Sequence, residues 1–166
     1  MGKIDSALIR KLRDETGAPV MRVKQVLEEM LGDLPANATP KELQAGEKKA
    51  SDILKREGFA SVEKRAGRVT SQGMVVSYVH HSGKVASIVS LLCETDFVAR
   101  NDLFKQTAHD IAMQVASMDP KDNKELLGME FIKDPSKKIS DLIGEIIAKT
   151  GENVKLEKFV RVAVGE

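Results

Sequence analysis

The chain has 166 residues, 31% of them charged and 42% apolar, with no Trp and one Tyr, the balance of a soluble globular protein of one domain or two small ones. Its 26 basic and 25 acidic side chains leave a formal net charge of +1, so the excess of Lys and Arg that drives non-specific nucleic-acid binding is missing. No apolar run approaches the ~20 residues of a membrane span, the first residues carry no apolar stretch of the secretory kind, and Cys93, the only cysteine, excludes an intramolecular disulfide and fits a reducing cytoplasm.

Residues 5 to 15 predict a first helix. Leu8, Ile9 and Leu12 share one face at helical spacing. Asp5 or Ser6 can cap its start, and Gly17 offers a left-handed residue past its end. Pro19 suits the first turn of a second helix, which carries Val20, Val23, Val26, Leu27 and Met30 along one face and ends near Gly32. Residues 33 to 38 read as a loop. Thr39-Pro40-Lys41-Glu42 then joins a cap, a first-turn proline and a capping-box acid. It predicts a third helix to about Glu57, with Leu43, Ala50, Ile53 and Leu54 inward and Gly58 at its end. Residues 1–58 thus read as a three-helix N-terminal module. Residues 59–73, with Lys64, Arg65 and Arg68, read as a solvated basic connector.

From Gly73 the hydrophobic period changes to that of a strand. Met74-Val75-Val76-Ser77-Tyr78-Val79 and Val85 to Leu92 flank a turn at His80-His81-Ser82-Gly83-Lys84, which predicts an antiparallel hairpin. A helix follows over about 102–117, with Phe104, Ala108, Ile111, Ala112 and Val115 in one stripe. Residues 121 to 133 carry no clear pattern. Asp134 and Pro135 predict the start of a helix bearing Ile139, Leu142, Ile143, Ile146 and Ile147, stopped by Gly151. Residues 156 to 164 close the chain as a strand, with Phe159, Arg161 and Ala163 alternating against Val160, Val162 and Val164. The expected fold class is α+β: a three-helix N-terminal bundle, then a core at 74–166 with a three-stranded antiparallel sheet flanked by helices. The open edges of such a sheet invite pairing with a second copy, so a homodimer is an expectation.

Catalytic chemistry is hard to find. No Walker-type phosphate loop or nucleophile elbow occurs, and Cys93 has no activating neighbour in sequence. His80 and His81 are adjacent, and adjacent strand residues point to opposite faces, so no metal site and no cofactor is expected. Glu94 and Asp96 could form a carboxylate pair. Read from pattern alone, Asp96 is a cap and Phe97 is core.

The run Cys93-Glu94-Thr95-Asp96-Phe97-Val98-Ala99-Arg100-Asn101 resembles, at every position, the signature of the elongation factor Ts family. Two further stretches resemble the same family. One is Leu12-Arg13-Asp14-Glu15-Thr16-Gly17-Ala18, and the other is the hairpin Tyr78-Val79-His80-His81. The resemblance covers nearly the whole chain, in the family's short form with one core copy. Pro19 and Val20 replace the family's usual glycine and methionine, Met21 is retained, and Gln114 stands where a histidine is expected.

That resemblance implies a ubiquitin-associated type of three-helix fold at the N-terminus and nucleotide exchange on the GTPase elongation factor Tu. It implies that Arg13, Val20 and Met21 dock on the partner. It further implies that Thr95, Asp96, Phe97 and Val98 enter near the partner's magnesium, with Phe97 as a wedge that dislocates the ion. No covalent chemistry, membrane or direct nucleic-acid contact is implied. Two competing readings remain on the residues: a nucleic-acid binder using Lys55, Arg56, Lys64, Arg65 and Arg68, and a binder of ubiquitin-like folds using residues 1–58.

Overall fold

A computed structural model of the chain describes residues 4–32, 34, 35 and 38–166, the side chains of residues 59–61, 63 and 64 excepted. Part of the loop expected at 33–38 therefore lies outside the described residues. The chain divides into two compact units, Met1–Lys64 and Arg65–Glu166.

The first unit is helical: α1 Ser6–Thr16, α2 Val20–Leu31 and α3 Pro40–Arg65, the last running to the unit boundary. Asp5 caps α1 by accepting the Ala7 N–H, and Gly17 closes it at φ +69°. The Thr39 and Glu42 side chains exchange bonds as a capping box at the start of α3. Leu12, Val23, Val26, Leu27, Ala50 and Leu54 form the core. Gly46 fits α3 against the end of α2, where an added Cβ would collide with Leu31. Across the surface Arg22 grips both carboxylate oxygens of Glu57, at 2.9 and 2.6 Å. That bond, to the guanidinium, lowers the Glu57 carboxyl pKa.

Three expectations for this unit need correction. Helix α3 does not end at Gly58 but continues to Arg65. One glycine costs a helix only about 1 kcal/mol against Ala, and the following Phe59-Ala60-Ser61-Val62-Glu63-Lys64 contains no proline to stop it. Leu43, expected inward, is exposed, and so is Val20. Each sits in the first turn of its helix, ahead of the residues that meet the core.

The second unit is α+β. Strands β1 Gln72–Val79, β2 Val85–Cys93 and β5 Val154–Ala163 form an antiparallel sheet in the order β1-β2-β5. Helix α5 Asp102–Met118 crosses one face. Its stripe Phe104, Ala108, Ile111, Ala112 and Val115 is completely buried, and Ser87 on β2 donates to the Ala112 carbonyl at 2.6 Å. The other sheet face shows Val75, Val79, Ile88, Val160 and Val162 to solvent.

The segment without a clear pattern folds as α6 Asn123–Gly128, capped by Asp122, and the short strand β3 Glu130–Phe131. The helix expected from Asp134 begins instead at Ile139, as α7 Ile139–Thr150, with Asp141 accepting the Lys138 N–H. Asp134–Lys138 is strand β4, paired with β3. The Asp134 carboxylate does accept backbone and side-chain bonds, but from Ser136 inside that hairpin. It shapes a turn rather than capping a helix.

Gln114 on α5 is fully buried and pins this hairpin. Its amide donates to the Glu130 carbonyl at 2.9 Å and accepts the Ile132 N–H at 3.0 Å. Gln114→Leu keeps the volume but leaves both backbone groups unpaired. It should destabilise the protein by about 1–3 kcal/mol in denaturant unfolding; an unchanged or raised stability would show that the clamp is not needed.

Candidate functional site

Strand β2 ends at Cys93, whose thiol is completely buried and donates to the Thr95 carbonyl at 3.1 Å. Burial, and then the charge of nearby Glu152, push the thiol pKa up, so it keeps its proton. The chain then turns into α4, Asp96–Ala99. Thr95 is its N-cap, with Oγ1 accepting the Val98 N–H at 3.5 Å. Asn101 caps α5 directly afterwards by accepting the Leu103 N–H at 2.8 Å. One turn of helix is thus held between a strand end and a long helix.

The side chains of that turn divide sharply. Val98 is 4% exposed and belongs to the core, whereas Phe97 is 80% exposed. Pattern alone would bury Phe97, and the structure puts it in solvent. Asp96 is exposed and pairs with Arg100 one turn on, at 3.0 Å. Glu94 points elsewhere, taking the Asn153 N–H at 2.6 Å and lying 3.5 Å from Arg68. Glu94 and Asp96 therefore do not work as a pair. The turn touches one more carboxylate: Glu152, just after α7, accepts both the Thr95 N–H and the Thr95 hydroxyl, at 3.0 and 2.6 Å. Neither Glu152 nor Asn153 stands out in the sequence, because both act across about sixty residues of chain; a Gly-Glu-Asn turn after a helix was the available signal.

In the first unit, the α1–α2 turn presents the other expected residues. The buried Thr16 hydroxyl donates to the Leu12 carbonyl at 2.6 Å and accepts the Ala18 N–H at 3.3 Å. With Gly17 at positive φ, this explains the Thr-Gly-Ala run physically. Arg13 lies exposed in the last turn of α1. In the first turn of α2, Val20 is 47% and Met21 67% exposed. None of the three is a core residue.

His80 and His81 lie in the expected turn, but not with their rings apart. Both lie beyond β1, and their ring centroids are 4.0 Å apart rather than on opposite faces. His80 Nδ1 bonds Ser82 Oγ at 2.8 Å. Among the described residues, no group of three or more His, Cys, Asp or Glu is placed to hold a metal ion, and no helix is long and apolar enough to cross a membrane. Of the basic residues weighed as a nucleic-acid patch, Arg68 lies against Glu94 and Arg65 donates to the Ile147 carbonyl.

The family model described as elongation factor TS matches residues 94–166. Elongation factor Ts of Thermotoga neapolitana is 37% identical over 99% of this chain and 98% of its own length. The Thermotoga maritima protein is 36% identical over the same shares. That of Coprothermobacter proteolyticus is 35% identical over 99% of this chain and all of its own. The class is thus a translation elongation factor of the guanine-nucleotide exchange type. The chain belongs to the elongation factor Ts family.

Exposure separates the roles of neighbouring residues. Phe97→Ala and Met21→Ala should leave stability within roughly ±0.5 kcal/mol, as for surface positions, while Val98→Ala should cost about 1–3 kcal/mol. Urea unfolding of the three variants checks this; a large loss at Phe97 or Met21 would make that residue structural.

Proposed function

We propose that this member of the elongation factor Ts family promotes GDP release from elongation factor Tu by presenting Phe97 as a wedge beside the partner's magnesium site. The observation that carries the reading is the contrast at α4, where an aromatic stands 80% exposed on a turn whose next residue is core. A rigid aromatic buries much area at small entropic cost when it enters a partner's groove. Magnesium demands near-ideal octahedral coordination, so a small displacement of its ligands is enough to weaken it. Thr95 and Val98 hold the turn, and Asp96 offers acceptors at its tip. Arg13, Val20 and Met21 supply a separate dock on the GTPase.

The energetics are those of mutual antagonism. A factor that weakens GDP binding by some ratio is itself bound more weakly by the same ratio when GDP is present. Binding alone performs this work, without covalent chemistry, a cofactor, nucleic acid or a membrane, in the cytoplasm where translation runs. Phe97→Ala should slow release of fluorescent GDP by more than a hundredfold, a loss of ~3 kcal/mol at the transition state. Met21→Ala should instead weaken complex formation with little change in the maximal rate. Release by Phe97→Ala at the unmodified rate would overturn the wedge.

Self-association is the second part of the proposal. Strands β1 and β5 are sheet edges. The outer face beside them, with Val75, Val79, Ile88, Val160 and Val162, is apolar. A partner for it must be apolar too, and a second copy of this chain carries that same surface. Sedimentation should show a dimer that Val160→Lys dissociates; a monomer at high concentration with full exchange activity would contradict it.

A further inference from the structure

We infer that Glu152 is a positioning residue for the Phe97 turn, setting through Thr95 the direction in which the aromatic is presented. This rests on the reading of Thr95 to Val98 as the partner-facing site. Every polar group of Thr95 is engaged. Its N–H donates to Glu152 Oε2 at 3.0 Å, its hydroxyl to Oε1 at 2.6 Å, and its carbonyl accepts the Cys93 thiol at 3.1 Å. A hydroxyl has one proton and two lone pairs. With the proton committed to Glu152, a lone pair of Oγ1 is left for the Val98 N–H. The carboxylate therefore fixes the backbone at Thr95 and orients the cap of α4 together. Bonds to a charged acceptor are the strong ones.

Glu152 is itself held. Helix α7 ends on Gly151 at φ +77°, a left-handed conformation that suits glycine, and Glu152 and Asn153 leave it together. The Asn153 N–H donates to Glu94 Oε1 at 2.6 Å. Its buried side-chain amide donates to the carbonyls of Ala66 and Arg68, at 3.3 and 2.9 Å. Residues 152 and 153 thus tie the segment before β1 to the segment after β2. The two donors of Thr95 meet different oxygens of the Glu152 carboxylate. Glutamine offers one, and keeps the second contact only if the Thr95 hydroxyl turns to accept. Thr95 and Glu152 lie outside the apolar core, so this bond serves the turn more than the fold.

The test uses the full chain as Glu152→Ala, Glu152→Gln, Phe97→Ala and the Ala/Ala double variant. Two quantities are measured: amide hydrogen exchange at Thr95 and Val98, and fluorescent GDP release from elongation factor Tu over a range of factor concentrations. Glu152→Ala should speed amide exchange at both positions and lower the maximal release rate by roughly tenfold, about the 1.4 kcal/mol of a lost bond to a charged group. Simple loss of folded protein would shift the half-saturating concentration instead. Glu152→Gln should recover part of the rate, and the double variant should be no slower than Phe97→Ala. Unchanged amide exchange in Glu152→Ala, or a rate loss that adds in full to that of Phe97→Ala, overturns the positioning role. If Phe97→Ala alone releases GDP at the unmodified rate, the site reading falls, while amide exchange still reports whether Glu152 holds the turn.

Discussion

A helix of four residues cannot hold itself, because nucleation fixes several residues before any hydrogen bond is returned. Everything distinctive in this molecule depends on α4 being held from outside. Thr95 caps it, Val98 anchors it in the core, and Asn101 starts the next helix immediately. The sheet supplies the base, with β2 central between β1 and β5 and its end at Cys93 completely buried. Held in this way, the turn faces Val98 inward and Phe97 outward.

Much of this was legible in the residues. Period-two runs gave the hairpin, a period of 3.6 gave the α5 stripe, and caps and glycines gave α1 and the end of α7. The misreadings have physical causes. Gly58 reads as a helix end, although a lone glycine weakens a helix without breaking it. Asp134-Pro135 looked like a helix start because a capping side chain and a turn-forming side chain are the same chemistry. Leu43 and Val20 carry apolar side chains at helical spacing, and spacing alone does not say which turn of a helix meets a neighbour. Phe97 shows the limit most clearly: an aromatic next to core residues reads as core unless something beyond pattern speaks against it. The family signature did so here.

Gln114 has a related lesson. The resemblance implies a histidine at this position. In the structure the glutamine is buried and spends both amide groups on the β3–β4 backbone. Its role in this chain is to join α5 to a hairpin that propensity alone did not reveal. Phe97 and Asp96 on α4, by contrast, are exposed.

The central claim is that the turn acts on the partner's magnesium. The most direct test is fluorescent GDP release from elongation factor Tu on mixing with the unmodified chain, in magnesium and again after chelation. The account predicts strong acceleration in magnesium and a much smaller factor after chelation, because the ion that the wedge displaces is already gone. Equal acceleration in both conditions would contradict it.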